Sequence, residues 1–156
     1  MASVANAEVI KRLVVLIADS KSHSRFLLRS MLLQLEVKNL HEAADGAAAL
    51  DAIDAVSPDV LILDWDLQVV SAREVLRVVR SQTATPSSAI PTIVISSFGQ
   101  YEAVQEAIGL GAPHFMVWPI SPKMLEDRLR GIVADAREAA LAYKRGTPPD
   151  DRMQPA

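Results

Sequence analysis

Four short runs of apolar residues, each closing abruptly on a polar residue or a proline, set the pattern of this chain. Leu13-Val14-Val15-Leu16-Ile17-Ala18 stops at Asp19-Ser20, and Val60-Leu61-Ile62-Leu63 stops at Asp64. Thr92-Ile93-Val94-Ile95 stops at Ser96-Ser97, and Phe115-Met116-Val117-Trp118 stops at Pro119. Runs this short and this rich in β-branched residues predict strands buried on both faces. A weaker strand is expected over Asn39–Ala43. Between the strands the apolar period lengthens to that of a helix. Leu27, Leu28, Met31, Leu32 and Leu35 form one stripe within Ser22–Leu35. Further helices are expected from Gly46 to about Val56, from Ser71 to Arg80 and from Tyr101 to Leu110. Ser57-Pro58 ends the second of these four, because the residue before a proline is pushed out of the α region. Ser121 followed by Pro122 predicts a helix start, and the stripe beyond it runs to about Tyr143.

Strands alternating with helices predict an α/β fold, a doubly wound five-stranded parallel sheet with five helices. One domain is expected over residues 12–143, preceded by an arm or leading helical turn over 1–11 and followed by a disordered tail over 144–156. Ser81–Ile90 reads as a loop. In such sheets ligands bind beyond the carboxyl ends of the strands. That places Asp19-Ser20, Asp64-Trp65-Asp66, Ser96-Ser97 and Trp118-Pro119 at one end of the domain.

Composition narrows the chemistry. Among 156 residues there is no cysteine, which removes disulfides, thiolate metal sites and cysteine nucleophiles. Sixteen Lys and Arg against nineteen Asp and Glu give a net charge of −3, so no nucleic-acid partner is expected. Without a long apolar segment or a signal peptide, the expectation is a cytoplasmic protein with no membrane contact.

The stretches LIADSKSHSR, HEAADGAAALDAI, SPDVLILDWDL, AREVLRVVR, IPTIVISS and GAPHFMVWPISP, in this order and spacing, resemble the receiver domain of bacterial response regulators. The resemblance implies the flavodoxin-like (βα)5 fold of the chemotaxis type, with an extended last helix here. It also implies a phosphorelay role in which Asp64 accepts a phosphoryl group from a sensor histidine kinase or phosphotransfer protein. Asp19 and Asp64 would hold Mg²⁺, with the backbone carbonyl of Asp66 and, weakly, Ser20. Ser96 would bind the phosphoryl oxygen, Phe115 would be the switch aromatic, and Pro119 would follow a cis bond. Two positions depart from the pattern: Ser20 replaces a second acid, and Trp118 replaces a lysine. Gln68 stands where the family often has a proline.

The missing charges matter because phosphoryl transfer depends on positioning and on neutralising oxygen charge. Lys21 is either a source of that charge or a solvated loop lysine, and the second reading is the plainer one. Trp118 is expected to pack over the vacated pocket, and Phe98 to shield an acyl phosphate. Four of the seven aromatics, Trp65, Phe98, Phe115 and Trp118, are thus expected around the site. The favoured function is a stand-alone, non-enzymatic receiver that signals to a downstream protein target. Ala136, Ala139, Ala140 and Tyr143 on the last helix offer a homodimer seam. One alternative is a phosphorylation-independent pseudo-receiver that senses a ligand or binds constitutively. A remote one is a haloacid-dehalogenase-type phosphatase, suggested by Asp64-Trp65-Asp66 but lacking that family's later lysine and paired acids.

Overall fold

A computed structural model describes residues 2–81 and 90–144 of the chain. Most of the expected loop before Ile90, and the expected tail apart from Lys144, lie outside the described residues. The elements in chain order are α1 (Ala2–Ile10), β1 (Val14–Ala18), α2 (Ser22–Gln34), β2 (Asn39–Ala43), α3 (Gly46–Val56) and β3 (Val60–Asp64). Then come α4 (Ala72–Ser81), β4 (Thr92–Ser96), α5 (Tyr101–Gly109), β5 (His114–Val117) and α6 (Pro122–Lys144). The expected arm or leading helical turn is a helix, α1, so the described residues hold one helix more than the five expected. Its terminal Ile10 is buried, and Asn6 accepts a hydrogen bond from Arg137 on α6 at 3.1 Å.

The strands pair in parallel in the order β2-β1-β3-β4-β5. Period-two alternation sorts their side chains into two apolar layers. Val15, Ile17, Val60, Ile62, Ile93 and Met116 face one layer, which α1, α2 and α6 close. Leu16, Ala18, Leu61, Leu63 and Val94 face the other, which α3, α4 and α5 close. Each fully buried Leu or Ile among them contributes roughly 1.5–3 kcal/mol relative to exposure. With both faces covered, the polar residues are driven to the strand ends.

At the carboxyl end, the start of α3 is fastened to the loop after β3. Asp45 caps α3 by accepting the Ala48 N–H at 2.8 Å, and Gly46 N–H donates to the Gln68 carbonyl at 3.0 Å. A Cβ on Gly46 would stand 1.9 Å from the Val70 carbonyl oxygen. Val69, in the same loop, holds a left-handed backbone with φ 69° despite its branched side chain. Helix propensity alone favours alanine over glycine by nearly 1 kcal/mol. Gly46→Ala should nevertheless destabilise the fold by about 2 kcal/mol, because the backbone contact must open. A thermal melt showing a Tm lower by roughly 4–8 °C supports this close approach; an unchanged or higher Tm contradicts it.

Candidate functional site

The register between β1 and β3 pairs Ala18 with Leu63, so the residues that follow, Asp19 and Asp64, meet side by side. Both are buried, at 2% and 5% exposure. Buried carboxylates require donors. Asp19 Oδ1 accepts the backbone N–H of Lys21 at 2.8 Å, and Asp64 Oδ1 accepts that of Asp66 at 3.1 Å. The remaining Asp64 oxygen, Oδ2, receives the Lys21 ammonium at 2.6 Å. The same ammonium stands 3.5 Å from Asp19 Oδ1. The solvated-loop reading of Lys21 is therefore corrected: its head bridges the two acids. Two signals in the sequence pointed there, the position two residues after Asp19 and the placement of a cation before a helix.

Burial pushes the Asp19 carboxyl up from 3.8 to about 6, and the charge of Asp64 adds to the rise. The Lys21 N–H and ammonium oppose it. Burial works against the Lys21 charge, but the bond to Asp64 and the charges of both acids outweigh it and hold the ammonium above its ordinary range.

Ser20 and Asp66 serve the loops. Ser20 Oγ accepts the Gln68 N–H at 3.0 Å, and the Asp66 carbonyl accepts the Gln68 side-chain amide at 2.9 Å. Both oxygens that the resemblance offers to a metal beyond the two carboxylates are thus already engaged. Among the described residues no group of three or more acids and histidines is arranged to hold a metal. As arranged, this donor set does not fit a divalent ion. Mg²⁺ takes near-octahedral oxygen ligands, whereas here an ammonium already bonds Asp64.

Ser96 ends β4 beside β3, where Asp64 pairs with Ile95. Its Oγ accepts the Phe98 N–H at 3.1 Å, which leaves the hydroxyl proton for an incoming oxygen. A cleft of about 300 Å³ opens here, with Trp65, Asp66, Arg73, Ser96, Phe98 and Glu106 among its walls. Phe98 is 69% exposed, so it stands at the rim instead of covering the acceptor.

The aromatic residues do not gather into one hood. Trp65 is buried and meets the Phe115 ring edge to face, with centroids 6.3 Å apart, in the layer beneath α3, α4 and α5. The Arg73 guanidinium lies 4.7 Å above Trp65 and pairs with Glu106. Trp118, two residues beyond Met116, packs instead against the layer beneath α1, α2 and α6. The bond between Trp118 and Pro119 is cis.

The family model of the response regulator receiver domain matches residues 15–130. The chain belongs to the response regulator receiver family. Chemotaxis protein CheY1 of Helicobacter pylori is 28% identical over 120 residues, covering 76% of this chain and 95% of that protein. CheY of Pseudomonas aeruginosa is 25% identical over 118 residues, covering 76% and 94%. The crystal structure of CheY4 from Vibrio cholerae superposes with a TM-score of 0.68 at 27% identity, covering 76% of this chain and 96% of that one. A response regulator from Chloroflexus aurantiacus, at 24% identity, shares the fold with a TM-score of 0.71 over 78% and 98% of the two chains. The protein is thus a receiver of the CheY-like type in two-component signalling, and its flavodoxin-like sheet is the one the resemblance implied.

The raised Asp19 carboxyl makes a prediction about pH. Between about pH 4 and 6 the folded protein binds a proton there that the unfolded chain has released, so stability falls as pH rises through that window. The charged form then costs roughly 3 kcal/mol at neutral pH. Asp19→Asn should raise Tm by several degrees at pH 7.5 and by much less at pH 4.5. Equal shifts at the two pH values would show that Asp19 ionisation carries no such cost.

Proposed function

We propose that Asp64 is the phosphoacceptor of this receiver. The observation that carries the reading is the buried Asp64 carboxylate at the end of β3, its Oδ2 held by the Lys21 ammonium. In the transfer, an Asp64 oxygen forms the new P–O bond while the P–N bond of a phosphohistidine breaks. The imidazole nitrogen keeps the bonding electron pair. Ser96, one residue past the partner of Asp64 in the register, donates its hydroxyl to a phosphoryl oxygen. The protein acts as a switch that receives a group, not as a turnover enzyme. Mg²⁺, which receivers generally bind at the acidic pocket, is a conditional cofactor here, because Lys21 and Gln68 hold its ligands.

The output passes through protein contacts. Tyr101 and Ile108 on α5 and Val117 on the edge strand β5 are exposed. Val117 lies two residues beyond Phe115 on β5, and Phe115 touches Trp65, the residue after the acceptor. This continuity supports a downstream protein target on the face of α5 and β5. A second reading, the phosphorylation-independent pseudo-receiver, is favoured by one observation: Lys21 neutralises the acceptor without any phosphate.

Incubation with acetyl phosphate, followed by intact-mass measurement, separates the two. The wild type should gain the mass of one phosphoryl group and Asp64→Asn should gain none. A folded wild type that stays unmodified with acetyl phosphate, with and without Mg²⁺, and also with a histidine-kinase donor, sinks the phosphoacceptor reading in favour of the pseudo-receiver.

A further inference from the structure

We propose that Lys21 is the resident cation of this site: its ammonium joins Asp19 to Asp64 in place of a divalent ion and neutralises a phosphoryl group placed on Asp64. The inference rests on the phosphoacceptor reading only for its second half.

Geometry supplies the first argument. The ammonium lies 2.6 Å from Asp64 Oδ2 and 3.5 Å from Asp19 Oδ1, oxygens of the two buried carboxylates. An ammonium against those oxygens repels a divalent ion brought to them and competes with it for the same lone pairs. The remaining oxygens do not favour the ion. Ser20 offers a neutral hydroxyl that already holds the Gln68 N–H, and the Asp66 carbonyl holds the Gln68 amide.

The second argument comes from the helix that Lys21 precedes. Lys21 is the residue capping α2, yet its side chain makes no capping bond, and the first turn of α2 contains no acid. Cap positions favour Ser, Thr, Asp or Asn, and a cation is unfavourable at a helix N-terminus, where the backbone dipole is positive. Helix stability therefore gives no reason for a lysine here, whereas the two carboxylates do.

The third argument is reach. The Lys21 side chain is 47% exposed, and its own N–H is anchored on Asp19 Oδ1 at 2.8 Å. The stem starts from a fixed point while the head has solvent on one side. The ammonium can therefore follow an oxygen that moves outward from Asp64 to a phosphoryl group. Trp118 supplies no charge from the end of β5, so Lys21 is the cation the structure puts against the acceptor.

The test uses the full chain and two variants, Lys21→Ala and Lys21→Met, each first checked for an unchanged fold by circular dichroism. Calorimetric titration with Mg²⁺ should show at least tenfold tighter binding by both variants than by the wild type. With acetyl phosphate, the wild type should be modified in EDTA, and the variants only when Mg²⁺ is added. Equal Mg²⁺ affinity in all three proteins, or no binding by any, overturns the proposal. So does a wild type whose modification is abolished by EDTA as fully as that of the variants. If Asp64 takes no phosphoryl group in any protein, the phosphoacceptor reading fails, while the calorimetric comparison still decides whether Lys21 fills the place of the ion.

Discussion

A carboxylate taken out of water must find donors or give up its charge, and this fold buries two of them against each other. The parallel register of β1 and β3 leaves no choice in the matter. Strands that are apolar throughout can carry polar residues only where they end, and neighbouring parallel strands end together. Asp19 and Asp64 are consequently adjacent. Three donors answer them: the N–H groups of Lys21 and Asp66, and the Lys21 ammonium. The conformations of the loops after β1 and β3 follow from that demand. Arg25 holds the loop after β1 from α2, donating to the Asp19 backbone carbonyl at 2.7 Å while its Nε faces Glu42 at 3.5 Å.

The charge balance of the site differs from what counting substitutions suggests. Exchanging an acid for Ser20 and a lysine for Trp118 looks neutral, one charge of each sign. With Lys21 engaged, however, two carboxylates face one ammonium, and the cluster is one unit more positive than that count. The cation has moved from the end of β5 to the loop between β1 and α2. In its former place an indole joins the apolar layer under α2 and α6, on the same side of the strand as Met116. That side of the sheet gains buried apolar surface at a position where a lysine head would have to be kept polar.

Much of this was legible in the sequence. The central strands β1, β3 and β4 announced themselves because they are buried on both faces, and their ends named Asp19, Asp64 and Ser96 directly. What the pattern did not reveal was set by contacts between distant segments. The first eleven residues have no clear apolar period, and α1 is held by Ile10 in the core and by the bond that Arg137, on the last helix, donates to Asn6. The position of Lys21 two residues after Asp19 hints at its role, but nothing local shows that its head reaches both acids. The left-handed backbone of Val69 is likewise invisible, because a branched residue is among the last to be expected there. The rings of Trp65 and Trp118 sit close to strand ends, as the sequence placed them, but alternation sends them to opposite faces.

The departures from the receiver pattern fall into two pairs, one of them joined by a direct contact. Where the family often has a proline, Gln68 has an N–H, and that N–H is what Ser20 Oγ accepts. A proline has no such proton to give. Ser20 and Gln68 therefore form one exchange, in which a link between two loops replaces a ligand of the ion. Lys21 and Trp118 form the other, in which a cation near the first strand replaces one near the last. The two exchanges act on the same site in the same direction. One withdraws oxygen ligands from a divalent ion, and the other puts an ammonium against its carboxylates. A site that had merely decayed would leave buried charges unanswered, whereas every buried polar side-chain atom among the described residues has a partner. The buried charges of the pocket are thus answered, with the Lys21 ammonium standing against both acids.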